Sequence, residues 1–400
     1  MKSVLIIGAG FLQSFVIKRA KDLGYKTFAV DGDKNAVGFK YADFSECIDI
    51  VNEKSCLEYA RKNHVDGVLT AATDYGVLTA SYIARELNLN GLNYESAKLI
   101  KNKYLVRKCL FENKVDDTKQ AFEVNSNTDI EALSEKIDYP VMVKPCDGSG
   151  SRGAGRVDKA EDLKRACEYA MAGSITNRAE IESFVTGNEY GAETFVENGN
   201  IYVLAVMKKY MTKPPFYAEL GHEYPSDLSQ SLENKVRECV IKAIKALNIN
   251  FGSVNMDLLI SDDNKVHIVD IGARMGGNLI GSHIVPLGTG VDYIGNMIKA
   301  AVGDEIDFKS STKSNIVTRL LAFGDGIVKQ LPDFEGLERK YGVEICHHLE
   351  IGQKVREYHT NLDGCGYIVA KADKIEVAEQ NSEEVLKLIK KTMFTMESML

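Results

Sequence analysis

Short apolar runs alternate with helix-like segments along the first part of the chain. Residues 4–7 and 27–30 are apolar and rich in β-branched side chains, and 67–70 repeats the pattern. Between the first two runs, 12–23 carries apolar residues at helical spacing. Strands that alternate with helices in this way predict a doubly wound parallel sheet, so we expect a Rossmann-like domain at the start of the chain.

The turn after the first strand partly matches a dinucleotide-binding fingerprint. Gly8 and Gly10 follow this strand, and Asp31 follows the second strand, as the fingerprint requires. Gln13, however, stands where the third glycine belongs. We therefore interpret the glycines as the residues that permit a sharp turn from strand to helix, in preference to a bound dinucleotide.

A glycine-rich segment follows an apolar strand that ends at Lys144. It contains Gly148, Ser149, Gly150, Ser151, Arg152, Gly153 and Gly155. Glycines let the backbone turn several N–H groups towards one anion, and an arginine adds positive charge, so the segment suits a phosphate group. A P-loop is excluded because the lysine precedes the glycines and no Gly-Lys-Ser/Thr follows. The alternative is a solvated hairpin loop.

A polar turn at 261–264 separates two alternating apolar runs and predicts a β-hairpin. If this turn pairs Ile260 with Lys265, then Asp257 and Asp270 are diagonal neighbours on one face, roughly 7–8 Å apart. Two carboxylates at that separation can share Mg²⁺ or Mn²⁺ ions that hold nucleotide phosphates. A register shift of one residue would place the two carboxylates on opposite faces of the hairpin.

Residues 209–229 contain three of the seven prolines and several aromatic residues, so we expect no regular structure there. The remaining pattern predicts helices at 160–172, 230–247 and 288–303, and strands at 179–185, 316–323, 344–351 and 366–371. We place the cap of the last helix at Ser382.

Composition excludes several classes of function. The 400 residues carry a net charge of −8, which argues against a nucleic-acid partner because phosphate-backbone binding needs a basic face. The eight cysteines are scattered without a CxxC motif, so we expect neither a zinc site nor a disulfide framework, and a cytoplasmic location. No run of eighteen apolar residues predicts a membrane span, and the first apolar run lacks the cleavage site of a signal peptide.

The chain resembles the ATP-grasp ligases in the order of its motifs. These motifs are the strand, lysine and glycine lid, then a hinge at 182–189, and then the two-aspartate hairpin. The resemblance covers nearly the whole chain and is closest to amino-acid and dipeptide ligases, with biotin carboxylase and carbamoyl-phosphate-synthetase-like proteins as further relatives. It implies an α/β and α+β fold. The implied parts are a Rossmann-like domain at 1–95, a connecting helix at 96–118, ATP-grasp subdomains at 119–185 and 186–305, and a small β-rich subdomain at 306–400.

The resemblance also implies roles for individual residues. ATP would contact Lys103, Lys144, Gly148, Ser149, Gly150, Ser151, Gly153, the backbone of Glu182, Ser183 and Phe184 at adenine, and Glu189 at ribose. Asp257 and Asp270 would hold Mg²⁺ or Mn²⁺, and Arg152 and Arg274 would stabilise the transferring group. Glu219, His222, Arg274, Gly276 and Gly277 would contact the substrate. We expect no catalytic residue in 306–400, His347 and His348 included.

The sequence departs from the ATP-grasp pattern at Gly272, where those ligases carry an asparagine, and at Asn102, where they carry an aspartate. The implied function is an ATP-dependent carboxylate–amine ligase that acts through an acyl phosphate on small-molecule substrates, with a homodimer possible in such relatives. Two alternatives remain open. One is an enzyme that activates bicarbonate, and the other is an ATP-binding sensor without catalysis, which Gly272 motivates.

Overall fold

The structure is a computed structural model that describes residues 1–148, 150, 152–214 and 216–394. Ser149 and Ser151 of the glycine lid lie outside the described residues. Four β-sheets and the helices packed on them account for most of the described chain. The expected α/β and α+β architecture is confirmed, with a parallel sheet first and antiparallel sheets after it.

The N-terminal sheet is parallel and has the strand order β3-β2-β1-β4. Its strands are β1 (Ser3–Ile7), β2 (Lys26–Asp31), β3 (Phe44–Cys47) and β4 (Gly67–Thr70), and its helices are α1 (Phe11–Asp22), α2 (Glu53–Lys62), α3 (Val77–Leu87) and α4 (Tyr94–Ile100). The sequence pattern did not predict β3, because all four of its residues are exposed and its two apolar residues, Phe44 and Cys47, do not alternate with polar ones.

The glycine turn after β1 is occupied by side chains of the protein itself. The Gln13 Nε2 donates to the carbonyl oxygen of Ala71 at 2.5 Å, and the Asp31 Oδ2 accepts from the N–H of Ala9 at 2.7 Å. A Cβ atom on Gly8 would lie 3.4 Å from the Gln13 side chain. Gln13 and Asp31 therefore tie the turn to the neighbouring strand ends.

A short connection leads into a separate antiparallel sheet, which we call the lid sheet, with the order β5-β8-β6-β7. It comprises α5 (Lys103–Glu112), β5 (Ala121–Val124), α6 (Ile130–Ser134), β6 (Val141–Pro145), β7 (Gly155–Val157), α7 (Ala160–Ala172) and β8 (Ala179–Ser183). Asn102 caps α5, since its side chain accepts from the N–H of Leu105. The amide at this position therefore starts the helix at Lys103.

The large sheet has eight strands in the order β13-β12-β9-β10-β11-β14-β18-β16. The remaining elements are β9 (Asn188–Glu197), β10 (Asn200–Met211), β11 (Glu219–Tyr224), α8 (Gln230–Ala246), β12 (Gly252–Ile260), β13 (Val266–Gly272), α9 (Val285–Thr289), α10 (Tyr293–Ala301), β14 (Asn315–Leu320), β15 (Gly326–Ile327), α11 (Phe334–Tyr341), β16 (Val343–His347), β17 (Lys354–Val355), β18 (Gly366–Ala372) and α12 (Ile375–Met393). The large sheet crosses the expected boundary at 305/306 without a break, because β14, β18 and β16 continue it from β11.

Two expectations about local structure are wrong. The segment 209–229 contains β11, which pairs with β10 and β14 and so belongs to the middle of the large sheet. Ser382 does not cap a helix but lies within α12, fully buried, where its hydroxyl donates to the carbonyl oxygen of Glu379 at 2.8 Å. A serine can satisfy its hydroxyl inside a helix in this way, so the residue type alone did not locate the cap.

Within the described part of the chain, no helix combines the length and the apolar character that crossing a membrane requires.

Candidate active site

A cavity of about 1020 Å³ brings together residues from the N-terminal domain, the lid sheet, the large sheet and the C-terminal segment. Fourteen residues singled out in the sequence line it: Lys103, Lys144, Gly148, Gly150, Arg152, Glu182, Ser183, Phe184, Glu189, Glu219, Asp257, Asp270, Arg274 and Gly277. These residues are spread over about 175 positions of the sequence. Their convergence supports one site, although their individual roles stay predictions.

The two aspartates of the hairpin lie directly opposite each other. Ile260 pairs with Val266 and not with Lys265, so the register is one residue away from the expected one. A β-bulge between Asp257 and Leu258 compensates, and Asp257 consequently pairs with Asp270. Without the bulge the carboxylates would lie on opposite faces of the sheet. Bulges that redirect a side chain are common beside active sites.

The extra residue of the bulge is Val269, and Lys144 of β6 holds it. The Lys144 Nζ donates to the Val269 carbonyl oxygen at 3.1 Å and to the Glu182 Oε1 at 2.6 Å. Glu180 Oε2 lies 3.6 Å from the same ammonium group. Lys144 therefore belongs to a buried network that joins the lid sheet to the two-aspartate hairpin, and it also faces the cavity.

Arg107 completes this network from α5. Its guanidinium contacts the Glu182 Oε2 at 2.8 Å and the Asp116 Oδ2 at 2.9 Å. Asp116 in turn accepts from the N–H of Ile268 in β13 at 3.1 Å. Arg107 carried no sequence signal beyond its place four residues after Lys103, yet its contacts link three elements around the cavity.

Glu180 is fully buried within this network, and burial together with the neighbouring Glu182 raises the pKa of Glu180 to about 7. Between the ordinary glutamate pKa of 4.5 and about 7, the folded protein therefore keeps a proton that the unfolded chain releases. A raised carboxyl pKa removes stability as pH rises through that window. We expect Glu180→Gln to reduce the fall in unfolding free energy between pH 5 and 7.5, measured by urea denaturation.

The matched control is Glu58→Gln on the exposed face of α2, which should leave the pH dependence as in the wild type. Equal pH slopes for Glu180→Gln and the wild type would contradict the buried protonated state of Glu180.

Each aspartate of the hairpin also forms an ion pair with a lysine. The Lys103 Nζ lies 2.5 Å from the Asp270 Oδ2, and the Lys209 Nζ lies 2.9 Å from the Asp257 Oδ1. Burial raises the pKa of Asp257, whereas for Asp270 the effect of burial is outweighed by Lys103 and Lys144, which lower its pKa. Facing carboxylate oxygens on a cavity wall form a donor set that suits a hard divalent cation.

The nucleotide hinge differs in detail from the expectation. The N–H of Ser183 donates to the Gln120 carbonyl oxygen at 3.3 Å, and the N–H of Phe184 donates to that of Pro140 at 3.1 Å. These two donors are used within the lid sheet, so a donor for adenine has to come from a later residue. Glu189 lies in the cavity wall, where burial raises its pKa to about 7.

The described glycines of the lid divide into two groups. Gly148 and Gly150 line the cavity, and Gly150 has a φ of +66°, which favours glycine. Gly153 does not line it, because it packs on Pro145 with a φ of +74°, and a Cβ atom there would lie 2.9 Å from Pro145. Gly153 therefore permits close packing beneath the lid and does not face a nucleotide. Arg152 reaches the N-terminal domain, where its Nη2 donates to the Tyr75 hydroxyl at 2.8 Å.

The opposite end of the cavity contains a charged cluster around Glu219. Its carboxylate contacts the Lys209 ammonium and the Asn278 amide, and the Tyr367 hydroxyl donates to the Asn278 Oδ1 at 3.1 Å. Burial alone would raise the pKa of Glu219, but Lys209, His222 and Arg274 together outweigh burial and lower the pKa to about 2. Glu219 is consequently an anion held inside the cavity wall.

His222 does not contact the cavity, contrary to the expectation. It is 1% exposed, it pairs across the strands with Lys209, and its backbone N–H donates to the Thr318 hydroxyl at 3.0 Å. Burial lowers the pKa of His222 to about 4. A buried, neutral histidine that is the cross-strand neighbour of Lys209 borders the charged cluster, and its contact with a substrate stays a prediction.

Gly276 is also a structural residue. Its N–H donates to both carboxylate oxygens of the buried Glu193, at 3.1 and 3.2 Å, and it does not line the cavity. A Cβ atom at Gly276 would lie 2.8 Å from the Asn255 amide nitrogen and 2.9 Å from the Glu193 Oε2. This glycine lets the loop after β13 lie against Glu193, while the next residue, Gly277, reaches the cavity.

The C-terminal segment supplies cavity residues that the sequence did not indicate. Asn361 and Tyr367 line the cavity, and the Tyr358 hydroxyl donates to the Glu219 carbonyl oxygen. The expectation of no catalytic residue in 306–400 stays a prediction, but this segment does form part of the cavity wall. These residues carry no motif, and only the pairing of β18 with β14 brings them beside β11.

Two family models match the chain. An ATP-grasp domain model matches residues 137–282, and a model of the L-amino acid ligase C-terminal domain 2 matches 319–393. The first match includes the lid, the hinge and the two-aspartate hairpin, and the second includes the segment that contributes Asn361 and Tyr367. The chain is therefore an ATP-grasp protein with an L-amino acid ligase C-terminal domain. The resemblance inferred from the sequence is thus confirmed.

Relatives of this ATP-grasp ligase are distant. It is 25% identical over 261 residues to a formate-dependent phosphoribosylglycinamide formyltransferase from Prochlorococcus marinus (62% of this chain, 64% of that protein). It is 27% identical over 228 residues to a D-alanine–D-alanine ligase from Staphylococcus epidermidis (54% and 60%). The chain thus spans less than two thirds of the length of these relatives. The structure of an L-amino acid ligase from Bacillus licheniformis has the same fold, with a TM-score of 0.83, 23% identity and coverage of 97% and 98%.

Proposed function

We propose that this ATP-grasp ligase joins the carboxylate of an amino acid to an amine, using ATP and releasing ADP and phosphate. The observation that carries the proposal is the pair of opposite charges at the substrate end of the cavity. Glu219, which contacts Lys209, and the Arg274 guanidinium, which contacts Asp74, line the same cavity. A substrate that has both an ammonium and a carboxylate group matches this pair.

The match to the L-amino acid ligase C-terminal domain supports the same substrate class. That domain contributes Tyr367 next to Asn278, which contacts Glu219. The wall that surrounds the ammonium position is therefore built partly from the segment that this model describes.

Nucleotide binding is proposed at the lid end. The Val185 N–H is the first backbone donor beyond those used by the lid sheet, and Val185 lines the cavity, so it would contact adenine. Glu189 would accept from the ribose hydroxyls, and Lys103 and Arg152 would offset phosphate charge. Asp257 and Asp270 would hold Mg²⁺ or Mn²⁺, which neutralises charge that develops on the phosphates during transfer. Gly272 offers no side-chain ligand at the position where the resembled ligases carry an asparagine.

The chemistry follows from these positions. A carboxylate oxygen of the acid attacks the γ-phosphorus, the bond to the β-phosphate oxygen breaks, and ADP leaves. The amine nitrogen then attacks the acyl carbon, the bond to the phosphate oxygen breaks, and phosphate leaves as the amine loses a proton. Arg274 would stabilise the negative charge that both steps develop.

A hydroxylamine assay tests the proposal. With ATP, Mg²⁺ and hydroxylamine, a panel of L- and D-amino acids should include at least one that gives a hydroxamate together with ADP and phosphate, because an acyl phosphate is open to any good nucleophile. Bicarbonate should not stimulate ADP release. Hydroxamate formed together with AMP and pyrophosphate, ADP release that depends on bicarbonate, or no product with any acid would each contradict the ligase.

A further inference from the structure

A segment of the N-terminal domain enters the cavity beside Arg274. Ala71, which follows β4, forms a parallel bridge with Met275, and the Ala72 N–H donates to the Met275 carbonyl oxygen at 3.0 Å. Ala72 has a φ of +54°, a conformation that is uncommon for alanine and turns the chain here. The next residues, including Asp74, line the cavity. The backbone of this segment is thus fixed to the residue that follows Arg274.

Asp74 and Arg274 form a two-point ion pair. The Arg274 Nε lies 2.9 Å from one carboxylate oxygen of Asp74, and the Arg274 Nη2 donates to the other oxygen at 3.2 Å. The remaining nitrogen, Nη1, lies 3.5 Å from the Asn255 Oδ1. The Nη2 contact is a hydrogen bond and the Nε contact is an ion contact without hydrogen-bond alignment, and together they hold the guanidinium group against the carboxylate. The side chains are mostly buried, with 17% and 25% exposed.

Gly272 provides the space that this ion pair occupies. A Cβ atom at residue 272 would lie 2.9 Å from the Arg274 Cζ, 3.0 Å from the Asp74 Oδ1 and 3.2 Å from the Arg274 Nε. These distances are shorter than van der Waals contact, so any side chain at residue 272 would displace the guanidinium. The position at which the resembled ligases carry an asparagine is therefore covered here by Arg274.

We propose that Asp74 is a positioning residue that holds the Arg274 guanidinium over Gly272 for the transfer step. The inference rests on the proposed function only in that Arg274 contacts the reacting group. It explains Gly272 as the residue that leaves space for the Arg274 guanidinium, and not as a sign of lost catalysis. It also makes turnover depend on the docking of the N-terminal domain, because Asp74 belongs to that domain and Arg274 does not.

The first test compares Asp74→Asn, Asp74→Glu and Arg19→Gln. Arg19 makes an ion pair of 2.6 Å with Asp292 between α1 and α10, outside the cavity, so it controls for domain docking alone. We expect kcat to fall roughly 10–100-fold in Asp74→Asn, because misplacing a catalytic group by about 1 Å costs up to about 10²-fold. The KM for ATP should change less than about threefold. Asp74→Glu should recover part of kcat, and Arg19→Gln should keep it.

The second test does not need turnover. The Nη2–H signal of Arg274, assigned by its loss in Arg274→Lys, should be protected from solvent exchange by its hydrogen bond to Asp74 in nuclear magnetic resonance spectra of the whole protein. We expect that protection to disappear in Asp74→Asn and Gly272→Asn and to remain in Arg19→Gln. The kcat of the double variant Asp74→Asn/Gly272→Asn should be no lower than that of the less active single variant, since both changes release the same guanidinium.

The outcomes separate the two proposals. A wild-type protein that gives no hydroxamate with any acid counts against the proposed function, while the Arg274 signal still tests the positioning. Unchanged exchange protection in Asp74→Asn overturns the inference. So does an active wild type whose kcat is retained in Asp74→Asn, or lost equally in Arg19→Gln.

Discussion

Asp270→Asn is expected to abolish turnover while nucleotide binding survives. The two aspartates face each other across the bulged hairpin, and each would supply oxygen ligands to the cation. Such a cation stabilises charge that develops in the transfer step by several kcal/mol, and each 1.4 kcal/mol corresponds to a factor of ten. We therefore expect kcat to fall by about 10³, with a change of less than about tenfold in the affinity for a non-hydrolysable ATP analogue measured by calorimetry.

Asp257→Asn should behave in the same way, because the bulge makes the two positions equivalent neighbours of one cation site. Asp262→Asn is the matched control. It makes the same chemical change on the exposed turn of the same hairpin and should leave kcat unchanged. If turnover is retained in Asp270→Asn, the metal assignment is wrong, whatever the nucleotide affinity.

The parts of this site that could be predicted from the sequence are those in which chemistry and local pattern coincide. Asp257 and Asp270 interrupt apolar runs inside β12 and β13, while the lid and Arg274 follow the ends of β6 and β13. Such interruptions are visible in one dimension, and the order of these motifs led to the ATP-grasp ligases. The structure then places the residues on one cavity.

The bulge could not be predicted, because it depends on a contact between two sheets. The apolar and polar alternation of the hairpin gave a register one residue away from the real one. Lys144 fixes the extra residue, Val269, from another domain of the fold, and nothing in the local sequence of the hairpin records this. The register error and the missed bulge add up to a shift of two residues, so the aspartates share a face as expected but are direct partners instead of diagonal neighbours.

The substrate end was predicted least well, since distant segments build it. Tyr367 and Asp74 come from the two ends of the chain and have no motif, and Lys209 lies inside a strand that otherwise looks apolar. His222 was chosen by resemblance, but its side chain is buried beside its cross-strand neighbour Lys209 and does not line the cavity. Where tertiary contacts bring residues together, residue type and spacing do not report their neighbours.

Lys144→Met is expected to lower the free energy of unfolding by about 3–5 kcal/mol. Removing one partner of a buried ion pair leaves the other charge uncompensated, and that cost exceeds the net value of the pair itself. Here the loss affects the Glu182 carboxylate at 2.6 Å, Glu180 at 3.6 Å and the Val269 carbonyl of the bulge. Urea denaturation at pH 7.5 measures the change. Methionine keeps the approximate length of the side chain, so little of the effect is due to a cavity.

Lys265→Met is the control from the exposed turn of the same hairpin, where the ion pair with Asp263 at 3.2 Å is more than half exposed on both sides. Exposed pairs contribute at most about 1 kcal/mol, so this variant should stay near the wild type. Adding Glu180→Gln to Lys144→Met should restore part of the stability, because it removes one of the uncompensated carboxyl groups. A Lys144→Met protein with wild-type stability and weakened ATP affinity would instead assign the lysine to the nucleotide alone.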